Sequence, residues 1–219
     1  MCKKEVNRMK SKAAINRIIS TLKDLYPDGL CSLQYEKDYE LLFAVRLSAQ
    51  CTDERVNKVT PALYQRFPTL ESFAEADPEE VGQYIHSCGF YNGKARDIVA
   101  CAKKLLEEHG GKVPGTMEEL TALPGVGRKT ANLILGDVFG QSAYVCDTHC
   151  IRITGRLGIT DGSKDPLQVE RQLRLHIPPE ESNNFCHRMV LFGRDTCTAR
   201  KPLCEACPLR ADCDTGKSK

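Results

Sequence analysis

The chain has 219 residues but no tryptophan, and aromatic residues make up only 6% of it. Its apolar content is carried mainly by Leu, Ile, Val and Ala, which favours helices over strands. No apolar run is long enough to cross a bilayer, and residues 1–20 form a basic arm without the apolar centre of an export signal. We therefore expect an all-α, intracellular protein with no membrane partner.

A strong excess of positive charge is also missing. The formal net charge is only +2, whereas nucleic-acid-binding domains are often clearly basic. Any binding of nucleic acid must therefore depend on local clusters of Lys and Arg, which can neutralise phosphates wherever they are concentrated.

Cysteine, by contrast, is abundant, with twelve residues. Without an export signal, this number indicates metal binding or buried thiols rather than disulfides. Eight cysteines lie in apolar or amphipathic segments and are interpreted as small buried residues: Cys2, Cys31, Cys51, Cys88, Cys101, Cys146, Cys150 and Cys186. The other four share one loop with spacings of six, two and five residues, and they could hold either a zinc ion or an iron–sulfur cluster: Cys197, Cys204, Cys207 and Cys213.

Apolar periodicity and turn signals predict helices throughout the chain and no strand. The predicted helices cover residues 13–25, 38–50, 53–66, 70–76, 78–87, 94–109, 117–123, 127–139, 147–157, 166–176 and 181–194. Turn sequences such as "YPDG" and "TDGSKDP" separate them.

The stretch "LPGVGRKTAN" at 123–132 sets two glycines around one valine before an apolar-periodic segment. Such a turn between two helices leaves backbone N–H groups without intrahelical partners, and these donors and the helix dipole can bind a phosphate. Arg128 adds positive charge, while Val126 can anchor the turn in the core. The alternative is an ordinary turn whose Arg-Lys pair faces solvent. A second motif, "VCDTHC", places Asp147 as a helix N-cap, which alone is sufficient to explain it.

Together these segments resemble the endonuclease III family of DNA glycosylases, from about residue 13 to residue 213. The resemblance implies that Lys129 is the catalytic nucleophile and Asp147 a second catalytic residue. It also implies that the cysteine pattern C-x6-C-x2-C-x5-C holds one 4Fe–4S cluster, with a zinc knuckle as the alternative. An attacking amine must be unprotonated, and a partly desolvated position in the first turn of a helix disfavours the ammonium form.

The same resemblance implies several DNA contacts. Gln50 of "LSAQCTDERVNK" and Phe90 of "GFYN" would fill the gap left by a nucleotide rotated out of the duplex; without the resemblance, Gln50 is a polar residue at a helix end and Phe90 a core aromatic. The hairpin and the cluster loop would bind phosphates through Gly125, Val126, Gly127, Arg128, Thr130, Arg200 and Lys201.

Two further residues are given no functional part. Lys94 lies in "CGFYNGKARDIVA", a weak echo of the hairpin without the Pro-Gly-Val-Gly frame, and we expect it at the surface. His149 follows the motif aspartate, and a lone histidine is more often structural than catalytic.

The implied architecture is an all-α, two-lobed helix-hairpin-helix DNA glycosylase fold. One six-helix domain would cover residues 31–141 and end in the hairpin at 116–139. Residues 1–30 and 142–219 would form the second domain, with the cluster loop at 197–213. The expected partner is damaged double-stranded DNA, bound by a monomer in the cytoplasm, at the nucleoid.

The implied function is excision of oxidised or ring-saturated pyrimidines through a lysine Schiff base, followed by β-elimination 3′ to the abasic site. Thr121 stands where some family members carry a glutamate, so a substrate contact from that position is in doubt. The rivals are an adenine-mismatch glycosylase, disfavoured by Lys129; an 8-oxoguanine lyase, disfavoured by the cysteine loop; and a non-catalytic, metal-stabilised DNA-binding module.

Overall fold

The computed structural model describes residues 10–217, and in that range all regular secondary structure is helical. No helix among these residues is both long and apolar enough to cross a membrane. The chain divides into two compact units. The hairpin unit is Cys31–Gln141, and the cluster unit combines the chain up to Leu30 with the chain from Ser142 onward.

The hairpin unit contains seven α-helices, as many as periodicity predicts between residues 31 and 141, although the implied domain was a six-helix one. They are α2 (Asp38–Leu47), α3 (Asp53–Arg66), α4 (Leu70–Ala74), α5 (Pro78–Ile85), α6 (Tyr91–His109), α7 (Met117–Thr121) and α8 (Arg128–Asp137). A 3-10 turn at His86–Cys88 connects α5 to α6.

Helix α6 is the centre of this unit and packs against α2, α4 and α5. Ala95, Ile98 and Ala102, at helical spacing, are at most 1% exposed and form its buried face. Phe73 of α4 lies edge-on to Phe43 of α2, with ring centroids 5.0 Å apart. This packing gives firm support to the loop after α2 and to the turn before α6.

The cluster unit contains α1 (Lys12–Leu25), α9 (Thr148–Leu157), α10 (Pro166–His176), α11 (Ser182–Asp195) and α12 (Asp214–Lys217). Helices α9 and α11 approach closely at Gly193, where a Cβ would lie 2.5 Å from the His149 ring. Only glycine allows this approach. Buried Arg188 of α11 donates to the carbonyls of Tyr26 and Pro27, which fixes the chain after α1.

Two helix boundaries differ from the prediction at positions that matter for the site. Helix α2 ends at Leu47 rather than at residue 50, and α6 begins at Tyr91 rather than at residue 94. Among the scattered cysteines, five are buried as expected, but Cys31 and Cys51 are only half-buried. Cys2 lies outside the described residues.

Candidate active site and cluster loop

The Gly-Val-Gly turn joins α7 to α8 and lies against the side chains of Arg46 and Asp97. Gly125 has φ +74°, and a Cβ there would lie 2.9 Å from both Arg46 Nε and Asp97 Cβ. Those two side chains form an ion pair, with Arg46 Nη2 2.6 Å from Asp97 Oδ2. Val126 is buried, as predicted, and its N–H donates to the carbonyl of Leu123. Both the backbone conformation and the lack of space therefore require glycine at 125.

Lys129 is the second residue of α8, directly after Arg128, in the first turn of the helix. The N-cap is Gly127, and no side chain caps the helix start. The positive end of the helix dipole is thus beside both cations. The side chains of Arg128 and Lys129 are exposed and Thr130 is half-buried. The partial desolvation expected for Lys129 is therefore not seen in the protein alone.

Asp147 is the N-cap of α9, as the sequence predicts, and its carboxylate is firmly held. Oδ1 accepts the backbone N–H of Cys150 at 2.7 Å, while Oδ2 lies 3.2 Å from Nδ1 of His149. The Asp147 side chain is 15% exposed. The sequence predicts no functional part for His149, but its ring contacts the oxygen that is not used in capping and so fixes the carboxylate orientation.

Gln50 and Phe90 share a backbone feature that the sequence did not signal. They are the only non-glycine residues in the described range with positive φ, at 56° and 49°. Both side chains are exposed, Phe90 by 74%, so the alternative of a core aromatic is wrong. The left-handed region costs a non-glycine residue about 1–3 kcal/mol, and such strain concentrates at functional sites.

Lys94 contradicts the expectation of a surface residue, because it is only 1% exposed. Its Nζ donates to the carbonyl of Leu47 at 2.8 Å and to that of Cys88 at 2.9 Å. Burial lowers the pKa of Lys94, although the nearby thiols of Cys51 and Cys88 act in the opposite direction. The position follows from the helix, since Lys94 precedes Ala95 on the buried side of α6.

The four loop cysteines, Cys197, Cys204, Cys207 and Cys213, are half-buried and line one cavity. Four thiolates gathered around one cavity fit an iron–sulfur cluster, in which each thiolate binds a separate iron.

Helix α9 holds this loop through Arg156. Nη1 donates to Cys197 Sγ at 3.3 Å and to the carbonyl of Thr198 at 2.8 Å, and Nη2 donates to the carbonyl of Ala199 at 2.9 Å. Burial raises the pKa of the Cys207 thiol, and the other three thiols raise it further. Bound iron would offset this effect, because it stabilises the thiolate form.

Arg200 and Lys201 follow the segment anchored by Arg156, and both are exposed. They therefore form a local basic pair on the cluster loop, of the kind that the low net charge requires of a DNA-binding protein. The sequence predicts this pair but not Arg156, which bonds the carbonyls just before it.

Family models of known proteins match two parts of the chain, one that contains the hairpin and one that contains the cysteine loop. The family model of the HhH-GPD superfamily of base excision DNA repair proteins matches residues 43–179. That of the iron–sulfur binding domain of endonuclease III matches residues 197–213. The chain is 47% identical to endonuclease III of Synechocystis, over 94% of each protein. It is 41% identical to endonuclease III of Escherichia coli, over 93% of this chain and 96% of the relative.

Solved structures give the same result. The fold matches that of an endonuclease III trapped as a covalent intermediate with DNA, with a TM-score of 0.90 and 41% identity. That match covers 96% of this chain and 99% of the other. A thermostable thymine-DNA glycosylase, 21% identical with a TM-score of 0.82, shares the fold. The expected all-α glycosylase fold and the iron–sulfur loop are thereby confirmed.

These matches cover nearly the whole chain and include both the hairpin and the cysteine loop, so the protein belongs to the endonuclease III family: it is a base excision repair enzyme, a bifunctional DNA glycosylase and AP lyase, with one 4Fe–4S cluster.

Proposed function

We propose that the protein removes oxidised or ring-saturated pyrimidines, such as thymine glycol, from duplex DNA through a covalent bond to Lys129. The neutral Nζ attacks C1′ of the damaged nucleotide, the C1′–N bond breaks, and the base leaves with a proton. The sugar ring then opens as the remaining amine proton passes to the ring oxygen O4′, which leaves an imine between Nζ and C1′. Removal of a C2′ proton then expels the 3′ phosphate and breaks the strand on that side.

The position of Lys129 carries this proposal. The lysine lies in the first turn of a helix whose start has no side-chain cap, immediately after a turn suited to a phosphate. A phosphate held there would bring the sugar of the same strand within reach of the amine. A relative with 41% identity has been solved as a trapped covalent intermediate with DNA, which supports the same route for this chain.

We assign Asp147 to the charge and proton transfers of the reaction. A carboxylate can stabilise the positive charge that develops on the sugar as the base leaves, and it can accept or return protons. Its two oxygens have different tasks here, since Oδ1 caps α9 and Oδ2 meets His149. His149 is then a positioning residue that orients the carboxylate.

The DNA contacts in this proposal come from three surfaces. The hairpin residues Gly125, Val126, Gly127, Arg128 and Thr130 bind the phosphate backbone of the damaged strand. Gln50 and Phe90 enter the duplex, and their exposure on strained turns supports that part. Arg200 and Lys201 add phosphate contacts from the cluster loop.

The four loop cysteines would hold the cluster, which supplies a rigid cross-link for the loop. The excision steps described here need no electron transfer, so we assign the cluster a structural part. We further propose that the protein acts as a monomer, in the cytoplasm, on DNA of the nucleoid.

Borohydride trapping on a duplex with a single thymine glycol tests the proposal. The wild type should form a covalent adduct, and Lys129→Ala should form none. Lys103→Ala is the matched control, because Lys103 is an exposed lysine of α6 in the same unit. An adduct that persists in Lys129→Ala would identify another nucleophile. No wild-type adduct on this lesion or on an abasic site would reject the covalent route.

A further inference from the structure

The buried ammonium of Lys94 lies between the two strained turns of the hairpin unit. Its acceptor Leu47 is the last residue of α2, three positions before Gln50, and its acceptor Cys88 ends the 3-10 turn, two positions before Phe90. The backbone N–H of Lys94 also donates to the carbonyl of Phe90 itself. One residue therefore bonds to both segments that carry the exposed, left-handed residues.

We propose that Lys94 is a positioning residue that fixes the spacing between Gln50 and Phe90, so that both side chains enter the duplex together. The inference rests on the proposed function, in which those two residues fill the gap left by the extruded nucleotide. Lys94 itself is 1% exposed and does not touch the DNA in this proposal.

A buried charge is an expensive way to fill a protein interior, which indicates a specific task. Removing an ammonium from water is unfavourable unless hydrogen bonds replace its hydration. Two carbonyls at helix ends are suitable acceptors, because the last carbonyls of a helix lack intrahelical partners and lie at the negative end of the dipole. Lys94 meets one such end in α2 and another in the 3-10 turn.

Helix α6 contacts the end of α2 at a second point, through an ion pair. Asp97, one turn later, pairs with Arg46, the residue before Leu47. The end of α2 is thus held at two points on α6. In the turn that carries Phe90, Lys94 Nζ bonds the carbonyl of Cys88, and the Cys88 thiol also interacts with that of Cys51, the residue after Gln50. Lys94 is the group that bonds directly to the backbone of both α2 and that turn.

The experiment compares duplex DNA with a single strand, in which there is no base stack to fill. Lys94→Met removes the donors but keeps the length of the side chain. We expect the rate of strand cleavage at an abasic site, relative to wild type, to fall about 10- to 100-fold in duplex and much less in the single strand. The fluorescence of a 2-aminopurine next to the abasic site should rise when the wild type binds the duplex. It should not rise when Lys94→Met binds. Ile98→Ala, a core change on the same helix, is the control for lost stability and should lower both rates alike.

An equal loss on both substrates, or an unchanged 2-aminopurine signal, would overturn the inference. If Lys94→Met does not fold, Lys94→Arg decides instead, because it keeps the charge but not the geometry. The loss of duplex cleavage that Lys94→Arg causes should be smaller when Phe90 is also replaced by alanine. If the losses from the two substitutions are instead additive, the link between Lys94 and Phe90 is rejected. If the wild type forms no imine but still raises the 2-aminopurine fluorescence, the covalent route through Lys129 is rejected and the inference about Lys94 stands. The absence of that signal in wild type would reject the gap-filling role and this inference with it.

Discussion

Replacing Gly125 by alanine should destabilise the protein, whereas the same change two residues later should not. At Gly125, alanine must adopt φ near +74°, which costs about 1–2 kcal/mol. Its Cβ would lie 2.9 Å from Arg46 Nε and Asp97 Cβ, and overpacking of this kind costs about 1–3 kcal/mol. The half-exposed ion pair itself adds little. The sum is about 2–5 kcal/mol.

Gly127 provides the matched comparison. Its φ is −96°, which alanine adopts without strain, and a Cβ there would meet no atom within 4 Å. The loss of glycine at an N-cap and the gain from a stiffer unfolded chain are each below about 1 kcal/mol and oppose one another. Gly127→Ala should therefore leave stability nearly unchanged.

Thermal unfolding of the cluster-loaded variants measures the difference. For a chain of this size, 1 kcal/mol corresponds to about 2–4 °C in Tm, so Gly125→Ala should melt about 4–20 °C below wild type and Gly127→Ala within about 2 °C of it. Equal melting temperatures for the two variants would refute the steric argument. If Gly127→Ala melts normally but binds duplex DNA more weakly, the close approach of a phosphate to this turn is supported as well.

The other predictions concern the carboxylate and the basic pair. Asp147→Asn keeps an oxygen for the N–H of Cys150, so its Tm should change little while single-turnover excision falls at least about 100-fold; an active variant would remove Asp147 from the chemistry. Arg200→Ala and Lys201→Ala should each reduce the slope of log affinity against log salt by about 0.9, if each neutralises one phosphate. Binding titrations at several salt concentrations measure this, and unchanged slopes would show that the pair does not reach DNA.

The sequence was most informative where function depends on local geometry. The Pro-Gly-Val-Gly sequence predicts the turn before α8, and the cysteine spacing indicates the cluster loop. Asp147 is recognisable as an N-cap because the backbone N–H that its carboxylate accepts, that of Cys150, lies three residues away. These features are short-range, so a single stretch of sequence contains all of their parts.

Long-range features were missed for the same reason. Lys94 stands in "NGKAR", a polar stretch typical of a surface, and only the fold brings the carbonyl of Leu47 within 2.8 Å of it. The end of α2 at Leu47 has no glycine or proline after it, so periodicity extended the helix to residue 50. The positive φ of Gln50 and Phe90 is likewise not predictable from the local sequence, since neither residue type favours it.

Helix α9 has ten residues and is therefore about 15 Å long. It begins next to the carboxylate of Asp147 and, near its other end, Arg156 is bonded to Cys197 Sγ. A chain that loses its iron also loses a constraint on the element that presents this carboxylate. We therefore expect iron starvation of the cell to lower repair capacity, so that metal supply becomes an input to genome maintenance.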